Sequence, residues 1–262
     1  MNCVEVGSHG FVKYIDHMGS DHSICAAARQ SYGATRPESE DRHLIRYLMR
    51  HRHTSPFEMA ELIVQVKAPI YIARQWLRHR TASVNEYSMR YSPAIEDMES
   101  ASGWRLQAAN NKQGSDGFIF DEDLAASLSE SETHVYVACL EHYHALIDVG
   151  VAREQARKVL PLATYTIFTW KIDLHNLLHF LSLRMDPHAQ LEIQQYAQAI
   201  AGLVKERWPL TWEAFVDYRL ESRTFSRMER EVLAKMLAGQ QVPDCALVGR
   251  EYQEFLAKLG RM

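Results

Sequence analysis

Apolar positions recur along this chain at two spacings, which predict strands and helices. Cys3 to Val6 reads as a short strand, and Leu62 to Val66 alternates apolar and mixed residues with enough β-branching for a second. Ser23 to Ser31, rich in alanine, reads as a helix capped near Asp21, and Glu40 to Arg52 places Leu44, Tyr47 and Leu48 at helical spacing. Pro69 suits the first turn of a following helix, where its missing N–H has no partner to lose. In that helix Ile70, Ala73 and Leu77 form the expected buried stripe, with Arg74 and Arg78 one turn apart on a neighbouring face. Ala94 to Thr133 is acidic and rich in Ser, Asn and Gly, so it reads as a long loop with a short helix near Leu124.

Beyond this stretch, His134 to Val149 and Arg153 to Leu160 read as helices around Gly150, and Val159 to Trp170 as a β-branched strand. Leu174 to Leu183 and Glu192 to Lys205 are apolar-periodic helices separated by Met185-Asp186-Pro187. Near the end, Ser226-x-x-Glu229 is a capping-box pattern, Pro243 breaks the chain, and Tyr252 to Leu259 is amphipathic. The tail therefore predicts a helical pair that packs on the body or on a partner.

Composition narrows the classes. At 262 residues one domain with a substantial core suffices. With 29 Lys and Arg against 33 Asp and Glu, a general nucleic-acid coat is not expected and any anion site must be local. Cys3, Cys25, Cys139 and Cys245 form no Cys-x-x-Cys pair, which argues against a zinc knuckle or disulfide framework and for reduced thiols. The N-terminus has no basic region followed by an apolar core, and no run approaches the roughly 20 apolar residues that span a membrane. The expectation is a soluble, cytoplasmic protein with neither a membrane nor a nucleic acid as partner. No internal repeat, G-x-G-x-x-G or Walker sequence is present.

Gln75 to Tyr91 is the chemically crowded segment. Arg74, Arg78, His79, Arg80 and Arg90 together suit a phosphorylated or anionic aromatic ligand, the arginines offering planar forks, although a short basic run by itself is as well a solvated face or nucleic-acid patch. Arg78-His79-Arg80, seven residues, then Ser88 forms an Arg-His-Arg-x7-Ser signature. Around it stand His53-x-Ser55-Pro56-Phe57-Glu58, Lys67-Ala68-Pro69 and Asn85-Glu86-x-Ser88-x-Arg90-Tyr91. Downstream come Arg157-x-x-Leu160-Pro161 and Leu183-Arg184-x-Asp186-x-His188-Ala189-Gln190-x-Glu192. In these residues, from about the first strand to Tyr218, the chain resembles the flavin-dependent thymidylate synthases.

The resemblance implies an α/β (α+β) fold, a mixed, largely antiparallel sheet flanked by helices, in residues 1–218, with 219–262 a helical extension. It also implies a homotetramer with shared active sites. The implied reaction is reductive methylation of dUMP to dTMP, with methylenetetrahydrofolate as carbon donor, FAD as hydride carrier and NADPH as reductant. Carried over by position, Arg184 is the activating group at the uracil ring. Gln75, Trp76, Leu77, Arg78, Glu86, Tyr87, Ser88, Met89, Arg90, Arg157 and Arg184 fall on dUMP positions. Ser55, Arg78, His79, Arg80, Thr81, Glu86, Asp173, Leu174, His175 and His179 fall on FAD positions, and His53 on the folate side.

Other readings stand beside this one. Ser88 as a covalent nucleophile needs an adjacent base, and the local sequence has no dedicated one. His175 and His179 at i and i+4 have the spacing of a zinc pair, but Asn-Leu-Leu stands between them, and no metal is assigned. Taken as one helix, the segment from Asp173 to Arg184 sets His179 and Arg184 about 140° apart, because each residue turns about 100°. The two are therefore expected to serve different pockets, as one helix contributing to two sites of a tetramer would.

Overall fold

A computed structural model describes residues 2–31, 33, 38–108, 114–240 and 247–260, so the break expected at Pro243 lies outside the described residues. The chain divides into two compact units, Met1–Phe215 and Val216–Met262.

The first unit holds strands β1 (Cys3–Val6), β2 (Gly10–Met18), β3 (Glu61–Pro69), β4 (Ser83–Glu86), β5 (Arg105–Gln107), β6 (Ser115–Phe118) and β7 (Tyr165–Asp173). Five of them form one sheet in the order β1-β2-β3-β7-β4, antiparallel at every pairing, while β5 and β6 pair separately. Its helices are α1 (Asp21–Gln30), α2 (Asp41–Arg50), α3 (Ser55–Glu58), α4 (Ile70–Trp76), α5 (Glu122–Asp148), α6 (Arg153–Ala156), α7 (Leu174–Arg184), α8 (Leu191–Arg207) and α9 (Pro209–Phe215). No helix among the described residues is long and apolar enough to cross a membrane.

Strand alternation builds the core. On β3, Leu62, Val64, Val66 and Ala68 are buried, and in the register with β7 the first three sit opposite Ile172, Trp170 and Phe168. Trp76 of α4 and Phe180 of α7 close on these rings, with Trp76 5.2 Å from Trp170 and 4.9 Å from Phe180 between centroids.

Several expectations shift in register. Ser20, not Asp21, caps α1 in a capping box with Ser23. Asp21 is buried and instead accepts from Leu210 N, Thr211 N and Thr211 Oγ1 at 2.7–3.0 Å, which satisfies the start of α9. The buried face of α2 is Asp41, Ile45, Leu48 and Met49, leaving Tyr47 exposed. In α4 the buried residues are Ile72, Ala73 and Trp76, because Pro69 ends β3 and the helix starts one position later. The helix stops at Trp76, which puts Arg78 in the following turn. Strand β7 begins at Tyr165 rather than Val159, since the carbonyls of Leu162 and Thr164 are taken by Tyr71 N and Ile70 N at the head of α4.

The largest correction concerns the expected 94–133 loop. From Asp121, whose carboxylate caps Leu124 N, the chain is a single 27-residue helix. Its serines and threonine resemble loop residues, yet Ser129 and Thr133 bond back to the carbonyls of Ala125 and Ser129 and are accommodated within the helix.

Arg29 and Asp41 form a 2.7 Å ion pair, both nearly excluded from solvent, and His22 Nδ1 lies 2.9 Å from the other carboxylate oxygen. In the second unit, α10 (Arg227–Leu237) and α11 (Gly249–Lys258) enclose Val232, Leu247 and Phe255. The Ser226–Glu229 capping box is present, and Glu229 also accepts from Lys258 Nζ at 2.6 Å, joining the two helices. Lys258 and the Ser226 N–H hold the Glu229 carboxyl below its usual range.

Candidate active site

Two strand-to-helix junctions aim the chemistry. Pro69 ends β3 and heads α4, and Asp173 ends β7 and caps α7, accepting from Asn176 N at 2.9 Å and Asn176 Nδ2 at 2.8 Å. Because β3 and β7 pair from Glu61↔Asp173 to Pro69↔Tyr165, the two helices start at opposite ends of the paired strands. Their C-terminal ends meet. There Arg184 Nε donates to His79 Nε2 at 3.1 Å and Arg184 Nη2 donates to the Gln75 carbonyl at 3.4 Å.

Around this contact lies a cleft of about 370 Å³ lined by Arg78, His79, Arg80, Thr81, Ile172, Asn176, His179, Leu183 and Arg184. Cations and imidazoles face it and, among the described residues, no carboxylate lines it, so the donor set suits an anion. Burial first, then the Arg184 and His179 charges, push the His79 pKa down to about 4, and burial also lowers that of Arg184. His79 is therefore neutral near pH 7, and its Nε2 lone pair is free to accept from Arg184.

His179 and Arg184 share this cleft, which overturns the expectation that they serve different pockets. His79 stands between them, its ring 6.0 Å from that of His179. The two side chains converge because Arg184 is the last residue of α7 and its long side chain reaches toward Gln75 and His79.

Other expected site residues divide. Trp76 and Leu174 are wholly buried, so their side chains anchor the core and cannot line a ligand site in this chain. Met89 packs against the Ala94, Tyr143 and Ala156 cluster, and Leu77 is half-buried. His175 is half-buried on α7 but does not line the cleft. The edge strand β4 is exposed along its length, with Glu86 accepting from Thr166 Oγ1 at 2.7 Å and Tyr87 N donating to the Ile167 carbonyl. Ser88 Oγ accepts from Arg90 N at 3.4 Å, and among the described hydrogen bonds no imidazole or carboxylate reaches it. Arg90 lies 3.4 Å from Glu154 on an exposed surface, and Arg157 is half-buried at the 3₁₀ turn Arg157–Val159.

His53 and Ser55 line a separate groove of about 340 Å³ with Tyr47, Leu48, Pro56 and Met59, and this groove shares no residue with the Arg184 cleft. Among the described residues no group of three or more His, Cys, Asp or Glu is arranged to hold a metal. Sequence reasoning missed two supports. The Gln190 side chain accepts from Gln75 Nε2, and Thr166 fixes Glu86. Gln190 was visible inside Ala189-Gln190-x-Glu192, whereas Thr166 gave no signal beyond its place in a strand.

A family model described as thymidylate synthase complementing protein matches residues 13–210. The chain is 51% identical over 261 residues to a flavin-dependent thymidylate synthase of Thermus thermophilus, covering 98% of this chain and 95% of that protein. It is 47% identical over 262 residues to one of Wolbachia pipientis wMel, covering 98% and 92%. Among solved structures, a UMP/dUMP methylase PolB from Streptomyces cacaoi bound with 5-Br dUMP superposes with a TM-score of 0.74 at 33% identity, covering 84% of this chain and 100% of that one.

Proposed function

Because the chain belongs to the flavin-dependent thymidylate synthase family and methylates dUMP reductively to dTMP, we propose that Arg184 is the group that activates the uracil ring. Methylenetetrahydrofolate supplies the carbon and NADPH the reducing equivalents, releasing tetrahydrofolate and NADP. The observation that carries the assignment is the Arg184–His79 contact in a cleft that, among the described residues, no carboxylate lines. Uracil C5 is a weak nucleophile until N3 loses its proton, and a guanidinium held against the ring stabilises that anion without deprotonating.

FAD, when bound, carries the hydride from NADPH. The residues present fit it: Arg78 and Arg80 are exposed cations beside Thr81, suited to a diphosphate, and His179 completes the wall. Asp173 supports the site as the α7 cap. Gln75, Glu86, Tyr87, Ser88, Arg90 and Arg157 hold the nucleotide, with Arg90 and Arg157 at phosphate or uracil. Ser55 serves FAD and His53 the folate.

Since the groove of His53 and Ser55 is distinct from the Arg184 cleft, a complete site draws the two from different copies of a homotetramer. Two measurements on one preparation test this reading. Purified protein supplied with FAD is expected to be yellow and to quench flavin fluorescence, and light scattering should give four copies. Protein that stays colourless refutes the cofactor site, and a fully active monomer refutes the shared one.

The hydroxyl of Ser88 is assigned to nucleotide binding. Replacing it by alanine is expected to weaken dUMP binding by about 1 kcal/mol with turnover retained. Complete loss of turnover with dUMP and FAD still bound would instead make it a nucleophile.

A further inference from the structure

We propose that His79 is a positioning residue for Arg184: its neutral imidazole accepts from Arg184 Nε and, with the Gln75 carbonyl, aims the free end of the guanidinium into the cleft. The inference rests on the assignment of Arg184 to the uracil ring. A guanidinium has five N–H donors, and these two acceptors engage Nε and one Nη2 hydrogen, leaving the Nη1 side for a ligand.

The acceptors are themselves fixed. His79 N donates to the Trp76 carbonyl at 3.0 Å, and its ring meets buried Phe180 edge-on at 4.9 Å. Gln75 is tied through its amide to Gln190 at the head of α8. An acceptor at Nε2 requires the proton on Nδ1, and protonation of the ring would exchange the acceptor for a second cation beside Arg184. Among the described residues, the charged or titratable groups against the ring are Arg184 and His179 from α7; Arg78 and Arg80 on its own segment line the same cleft, and Ile172 and Phe180 are apolar. Burial and the positive charge of Arg184 and His179 favour the neutral ring.

Two arms separate this role from cofactor binding and from the assignment of Arg184. In the FAD-reconstituted enzyme, His79→Leu is expected to lower kcat/KM for dUMP about a hundredfold, the scale of a small misplacement of a catalytic group. His79→Gln, which keeps an acceptor, should recover most of that loss, with flavin content followed by absorbance. Equal kinetics for His79→Leu and wild type would overturn the proposal, as would His79→Gln falling as far as His79→Leu at equal flavin content.

The second arm reads the contact in the full chain by imidazole ¹⁵N NMR. Wild-type His79 should be the Nδ1–H tautomer and stay neutral as the pH falls through the usual histidine value of 6.5, whereas Arg184→Ala should move its titration upward toward that value. A wild-type ring that titrates near 6.5, or one that Arg184→Ala leaves unmoved, overturns the proposal even if His79→Leu fails to take up flavin. Turnover retained by Arg184→Ala while the NMR contact stands would refute the function assigned to Arg184, leaving the contact itself in place.

Discussion

Replacing Arg184 by alanine is expected to lower dTMP formation by at least about 10²–10³-fold, the cost of removing a donor aimed at developing charge, while the protein still binds FAD. The expected selectivity comes from the architecture of the cleft. Arg78, Arg80 and Thr81 lie on the segment after α4 and His179 more than one turn before the end of α7, so the proposed flavin contacts survive the truncation. Arg184→Lys should rescue poorly, because a compact ammonium lacks the planar fork whose separate nitrogens meet His79 and Gln75 while another faces the uracil ring. Steady-state kinetics with flavin absorbance decides the matter. Near-normal turnover in the alanine variant would remove Arg184 from the chemistry, and loss of flavin along with activity would make it a cofactor contact.

Asp41→Asn is expected to destabilise the first unit by about 3–5 kcal/mol, since it strands the Arg29 guanidinium in the interior without its counter-charge. The Asp41 carboxylate also faces His22, so the variant takes one negative charge away from two neighbours at a buried position. Because breaking a buried pair costs more than replacing it with apolar groups, Arg29→Met combined with Asp41→Leu should be less destabilised than Asp41→Asn alone. Chemical denaturation of the variants and wild type checks both parts. A single variant within about 0.5 kcal/mol of wild type, the range of ordinary surface changes, would mean the pair contributes nothing.

Much of the fold was legible because β3, α7, α8 and the Ser226 cap each carry a local signal strong enough to survive in context. Helix α5 was not. Ser129 and Thr133 there donate to carbonyls one turn back, bonds invisible in composition. Nor was the sheet order, since β7 inserts between β3 and β4 through contacts that no local spacing encodes. For the candidate site, the motif resemblance located Arg78, His79 and Arg184, but position within a motif does not reveal which way a side chain points. Trp76 and Leu174 match ligand positions and face the core, while Gln190 matches none and secures Gln75. The wheel angle between His179 and Arg184 misled for a related reason, because it measured Cα directions and ignored the reach of an arginine at a helix end.

The junction at Asp173 has a mechanical consequence. With one residue serving as both strand end and helix cap, the rotational phase of α7 is locked to the register of β7 on β3. Inserting a single residue there would turn everything beyond it by about 100° and advance it by about 1.5 Å, moving Arg184 off His79 and Leu177, Leu178 and Leu181 out of the core together. Length changes at this point therefore cannot be absorbed as loop variation: sheet register and the aim of the guanidinium form one variable, so the same hydrogen-bond ladder that holds the sheet also sets the cleft.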